Sequence, residues 1–139
     1  MLEEPFARIR ASFAAQGLMQ TFGAELTEIS EGHAAIEAPI TTDVSQQQGA
    51  AHAGVTFAIG DSAAGYAALS LMADDQEVMT AEMKIHLIAP ATGEKLLAVG
   101  RVVKPGRRLF VAASDVWAIS GAEHRHVATL LGTMVPVRA

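Results

Sequence analysis

A single carboxylate interrupts an otherwise apolar stretch. From Ala53 to Ala73 the chain is built mainly from alanine, glycine, isoleucine, leucine, phenylalanine and methionine, and its one carboxylate is Asp61. Alanine and leucine favour helix, and apolar residues on every side suit a helix enclosed by other structure rather than one lying on a surface. Gly60, Ala63, Ala64, Gly65, Ala67 and Ala68 would let a strand layer approach the helix backbone closely. A membrane span needs about 20 predominantly apolar residues. Asp61, the glycines at 54, 60 and 65, and the many alanines make this stretch a poor one. Burial desolvates a carboxylate, raises its pKa and makes it a stronger base, so Asp61 is a candidate catalytic residue. The competing reading is structural: a carboxylate that caps a turn or pairs with an arginine across a subunit boundary.

The rest of the chain reads as the wrapping. At 139 residues, half of them apolar, residues 1–139 are expected to form one domain with a sizeable core. A helix is expected over about residues 3–16, where Phe6, Ile9, Arg10 and Phe13 recur at helical spacing between Pro5 and a stop at Gly17. Two antiparallel strands follow between Met19 and Ile40, divided at Glu31-Gly32, and then a glutamine-rich loop from Thr41 to Ala51 leads into the central helix. Beyond a turn at Ala73–Gln76, four strands are expected over 77–88, 95–103, 109–119 and 124–137. In the first of these, Val78, Thr80, Glu82, Lys84 and His86 alternate with Met79, Ala81, Met83, Ile85 and Leu87. One helix cannot cover both faces of such an α+β sheet, and a second copy of the chain is the simplest cover.

Composition narrows the function. A net charge of −5 with acidic residues spread along the chain argues against nucleic acid as the main partner. Without cysteine there is no disulfide framework, thiol nucleophile or thiolate metal site. The start, Met1-Leu2-Glu3-Glu4-Pro5, lacks the basic and apolar character of a secretory signal, so a cytoplasmic location is expected. His124 and His126 share a strand face at a spacing that could serve a metal, but no third ligand can be placed, and exposed strand residues are the competing reading. Arg101, Lys104, Arg107 and Arg108 cluster around one hairpin, either to contact phosphates or as a solvated tip. Trp117 and Tyr66 read as core or interface aromatics.

The run Gln46-x-x-Gly49-x-x-His52-Ala53-Gly54, with Asp61 nine residues after the histidine, resembles the motif of hotdog-fold acyl-CoA thioesterases of the phenylacetate-pathway (PaaI-like) type. Thr80 to Glu94 resembles that family's third strand and proline-containing turn, and Val103-Lys104-Pro105-Gly106-Arg107 its next hairpin. The likeness covers about residues 20–137. It implies a long central helix wrapped by a five- to six-stranded antiparallel sheet, paired edge to edge so that each active site draws on two chains, commonly as a dimer of dimers. Asp61 falls on the catalytic carboxylate, acting as general base on water or as nucleophile on the thioester carbon. Ala53 falls on a glycine whose backbone N–H polarises the thioester oxygen, Gln46 on an amide that helps hold the carbonyl or water, and Thr80 on a hydroxyl that can hold the water. His52 and Gly54 belong to the substrate-binding loop, with His52 holding the helix start by hydrogen bonding. Lys104, Arg107 and Arg108 would meet the phosphates of coenzyme A.

The resemblance implies hydrolysis of an aryl- or medium-chain acyl-CoA to free acid and CoA, with no metal and no cofactor other than the coenzyme A of the substrate. A non-catalytic acyl-CoA binding module on the same scaffold is the alternative. A dehydratase or hydratase would pair a histidine with a carboxylate, and no such pair stands out.

Overall fold

The computed structural model describes residues 4–138; Glu3, where the first helix is expected to begin, and the rest of the N-terminal Met1–Glu3 lie outside them. Two helices, α1 (Ala7–Ala15) and α2 (Gly17–Thr21), precede strands β1 (Glu25–Ser30) and β2 (His33–Pro39). The long helix α3 (Ala53–Leu69) follows, and then β3 (Gln76–Leu87), β4 (Lys95–Lys104), β5 (Phe110–Ser120) and β6 (Glu123–Arg138). The strands form one antiparallel sheet in the order β1-β2-β4-β5-β6-β3, wrapped around α3, which touches every strand. No helix among the described residues is long and apolar enough to cross a membrane.

Small residues allow the wrapping. Ile59, Ala63, Ala64, Ala67 and Ala68 are wholly buried on α3. Opposite them on β4 stands Gly100, where an added Cβ would lie 2.3 Å from the Ala63 carbonyl carbon and oxygen, so only glycine fits. From β5, the buried Ser114 Oγ donates to the Gly60 carbonyl at 2.6 Å and ties the sheet to the helix one residue before Asp61. These contacts fix where along the sheet the carboxylate stands.

Two local expectations are corrected. Gly17 is not a stop but the first residue of α2; the break comes at Gln16, whose ψ of 109° is extended and ends α1. In β3 the simple alternation fails because the register against β6 shifts between Thr80 and Glu82, leaving Ala81 as an extra bulged residue. The bulge switches the inward set from Val78 and Thr80 to Met83 and Ile85, so Thr80 faces the helix on the same side as the core-packed Val78, Met83 and Ile85.

The outer face of the sheet is left to solvent in one protomer. Leu131 is 53% exposed there, and the β3 edge shows Met79 and Leu87 at 58% and 57%. On the same outer face Asp115 accepts from Arg101 at 3.1 Å and pairs with His126 at 2.9 Å, and Trp117 stacks on the His126 ring. Trp117 is therefore a half-buried outer-face residue rather than a core one.

Candidate active site

The loop before α3 is shaped by its own backbone. Gln46 N–H donates to the Ala50 carbonyl at 2.8 Å, Gly49 takes a φ of +90° to close the turn, and Ser45 bridges Ala51. The side-chain carbonyl of Gln46 accepts from the Gln48 N–H, so that oxygen is engaged within the loop.

His52 is the N-cap of α3. Its backbone is extended, at φ −61° and ψ 142°, and Nδ1 accepts from the Gly54 N–H at 2.7 Å. A Cβ on residue 54 would lie 3.0 Å from that nitrogen, a tight approach that the His52 ring would have to shift slightly to ease. Val55 N–H donates to the His52 carbonyl at 3.0 Å. The amide left over is that of Ala53, whose N–H has no partner among the described residues and stands at the positive end of the helix dipole. Ala53 lines a cleft of about 720 Å³ with Gln46, His52, Thr56, Leu87 and Ile88. Thr56 is wholly buried and its hydroxyl has no partner among the described residues, a feature the sequence reading passed over.

Asp61 lies two turns further along. It is half-buried, and Thr80 Oγ1 donates to its Oδ1 at 2.7 Å. Burial raises the Asp61 carboxyl above its ordinary value, and the Thr80 hydrogen bond works against that rise without cancelling it. With one oxygen tied to Thr80, the other is available to take a proton from water or to attack a carbonyl. The cleft around it, about 280 Å³, also presents Ser12, Gln16, Tyr66 and Val78.

The expected site residues thus fall into three groups within one protomer. Asp61 and Thr80 are together. Gln46, His52, Ala53 and Gly54 are together at the start of α3, about 12 Å along the helix axis from Asp61 at 1.5 Å per residue. Lys104, Arg107 and Arg108 are exposed at the β4–β5 turn. That turn is at the Thr80 end of the sheet, since Phe110 pairs with Met134 and Met134 with Thr80. Arg101, by contrast, is held by Asp115 on the outer face and leaves the basic cluster. Among the described residues no group of three or more His, Cys, Asp and Glu could hold a metal ion, and His126 is engaged by Asp115.

Residues 48–123 match the family model described as the thioesterase superfamily. A solved thioesterase family protein from Silicibacter pomeroyi is 37% identical, with a TM-score of 0.95 over 98% of this chain and 100% of that one. The PaaI protein of the E. coli phenylacetic acid degradation operon shares the fold at 18% identity, with a TM-score of 0.85 over 96% of this chain and 93% of its own. A 1,4-dihydroxy-2-naphthoyl-CoA hydrolase of Listeria monocytogenes is 25% identical over 103 residues, 74% of this chain and 80% of that protein.

Proposed function

Since the chain belongs to the thioesterase superfamily, we propose that it hydrolyses an acyl-CoA thioester, with Asp61 of one protomer and the Ala53 N–H of its partner acting on the same carbonyl. The hotdog fold and thioester hydrolysis as a class come with the family. The two-chain site, the carrier and the acyl group are the proposal. The observation that carries it is the division described above: a carboxylate bonded by the Thr80 hydroxyl in one cleft, and an unclaimed helix-start amide in another. Neither half suffices alone.

A second copy joins them. β3 is an edge strand whose exposed Met79 and Leu87, with Ile88 just beyond, leave apolar surface and free backbone groups for pairing. Antiparallel pairing of two β3 edges lays the two α3 helices side by side in opposite directions. The Asp61 region of one then faces the Ala53 end of the other. Asp61 takes a proton from water held with Thr80, hydroxide adds to the thioester carbon, and the oxyanion meets the partner's Ala53 N–H. The C–S bond then breaks, and Asp61 passes its proton to the departing sulfur, which leaves as CoA and frees the carboxylic acid. Side chains and water suffice for these steps, and no metal or further cofactor is called for. Lys104, Arg107 and Arg108 stand at the same end of the sheet as Thr80 and so beside the partner's α3 start, where they suit the phosphates of coenzyme A. The outer face with Leu131 is left for a dimer of dimers.

The curated Listeria relative is named for an aryl-CoA substrate, which favours coenzyme A as carrier and an aryl acyl group. The test is release of free thiol from a panel of aryl- and alkyl-CoA thioesters beside a direct binding measurement. Saturable thiol release is expected. Saturable binding with no release would instead establish the non-catalytic module.

A further inference from the structure

The amides in the first turn of α3 can be accounted for one by one. Gly54 N–H donates to His52 Nδ1 at 2.7 Å, and the His52 carbonyl accepts from Val55 N–H at 3.0 Å and from Thr56 N–H at 3.5 Å. Among the described residues this leaves the Ala53 N–H as the one backbone donor of that turn free to meet an oxyanion. Charge that develops on a reacting oxygen is stabilised most by several donors fixed in advance, and a lone amide leaves part of that stabilisation unused.

A further hydroxyl stands beside the same cleft. Thr56, three residues after Ala53, is 0% exposed, borders the cleft of about 720 Å³, and its Oγ1 has no hydrogen-bond partner among the described residues. Buried hydroxyls in folded proteins are nearly always bonded, because leaving one unpaired costs stability. The usual partner for a threonine on a helix is the carbonyl four residues back, and here that is the His52 carbonyl, which already accepts two amides. Valine would fill the same space without the penalty. Residues three apart share one face of a helix, with side chains tilted towards its N-terminus, so the Thr56 side chain leans back towards Ala53. Such positions are about 5–6 Å apart, too far for one hydrogen bond and about the span of two through a water.

We propose that Thr56 is a positioning residue of the oxyanion site. When the thioester is bound, the Thr56 hydroxyl turns about χ1 to the cleft floor and holds a water there, and that water gives the thioester oxygen a second donor beside the Ala53 N–H. The hydroxyl gains in the complex the partner that it lacks in the fold. This rests on the reading of the Ala53 amide as the oxyanion donor.

The test is steady-state kinetics and thermal melting of Thr56→Val and Thr56→Ser, with the thioester of the panel that wild type turns over fastest. Thr56→Val should lower kcat by about tenfold or more with KM within about twofold of wild type, because the loss falls on the transition state. Its melting temperature should hold or rise, since an unpaired buried hydroxyl is removed and the shape is kept. Thr56→Ser keeps the hydroxyl and should recover most of the rate. Undiminished kcat in Thr56→Val, or equal losses in Thr56→Val and Thr56→Ser, would overturn the proposal. So would a Thr56→Val protein that melts well below wild type, by showing that the hydroxyl is bonded within the fold. Ala53→Pro run alongside keeps the two readings apart. Turnover surviving in that variant refutes the helix-start amide itself. Turnover lost there but kept in Thr56→Val refutes the role of Thr56 alone.

Discussion

Asp61→Asn is expected to lower kcat by about a thousandfold or more while leaving a folded protein that melts higher than wild type at neutral pH. The two effects share one cause. Burial raises the carboxyl above its ordinary value, so the folded state holds the proton more tightly than the unfolded chain does. Folding is therefore favoured as pH falls through the raised pKa, and the full destabilisation from a buried charge is present above it. Asparagine removes that charge and keeps the shape. It also removes the base, and Thr80 is left bonding an amide that cannot accept a proton from water. In the wild type the same raised pKa means that activity should fall on the acid side with a midpoint above that of an ordinary carboxylate. Thiol release across pH and scanning calorimetry check both halves. Full turnover in a well-folded Asp61→Asn protein would remove Asp61 from the chemistry.

Ala53→Pro is expected to reduce kcat by about a hundredfold or more with little change in melting temperature, because it deletes one N–H and little else. The site tolerates the ring. Residue 53 is the first of α3, where proline is well accommodated and where the missing donor serves no helix bond. The preceding His52 already has the extended backbone that a following proline imposes. Ala53→Gly keeps the amide and should stay close to wild type. Steady-state kinetics on both variants, with circular dichroism for the helix, decides the matter; unimpaired turnover by the proline variant would exclude the Ala53 amide as oxyanion donor.

Much of this arrangement is legible in the chain itself. An apolar run with one acid, punctuated by alanine and glycine, reads as an enclosed helix, and the strands between turn residues follow in their observed order. The β3 bulge is not legible, because Met79, Ala81, Met83, Ile85 and Leu87 carry one unbroken alternation straight through it. Gly100 looks like any strand glycine until α3 is laid across it. No spacing in the first helix marks Ser12 and Gln16, and only tertiary packing brings them to the Tyr66 hydroxyl. The engagement of Gln46 with its own loop and the pairing of Arg101 with Asp115 are likewise contacts that no local spacing announces.

Mixing the two inactive variants tests the shared site most directly. When Asp61→Asn and Ala53→Pro protomers are unfolded together and refolded, half of the dimers combine one of each. Each such dimer then has one site built from an intact Asp61 and an intact Ala53 amide, and the other site carries both defects. Activity should return to about a quarter of wild type, the proportion that random pairing in a two-fold dimer gives. A mixture no more active than either variant alone, with mixed dimers shown to be present, would contradict a site assembled from two chains.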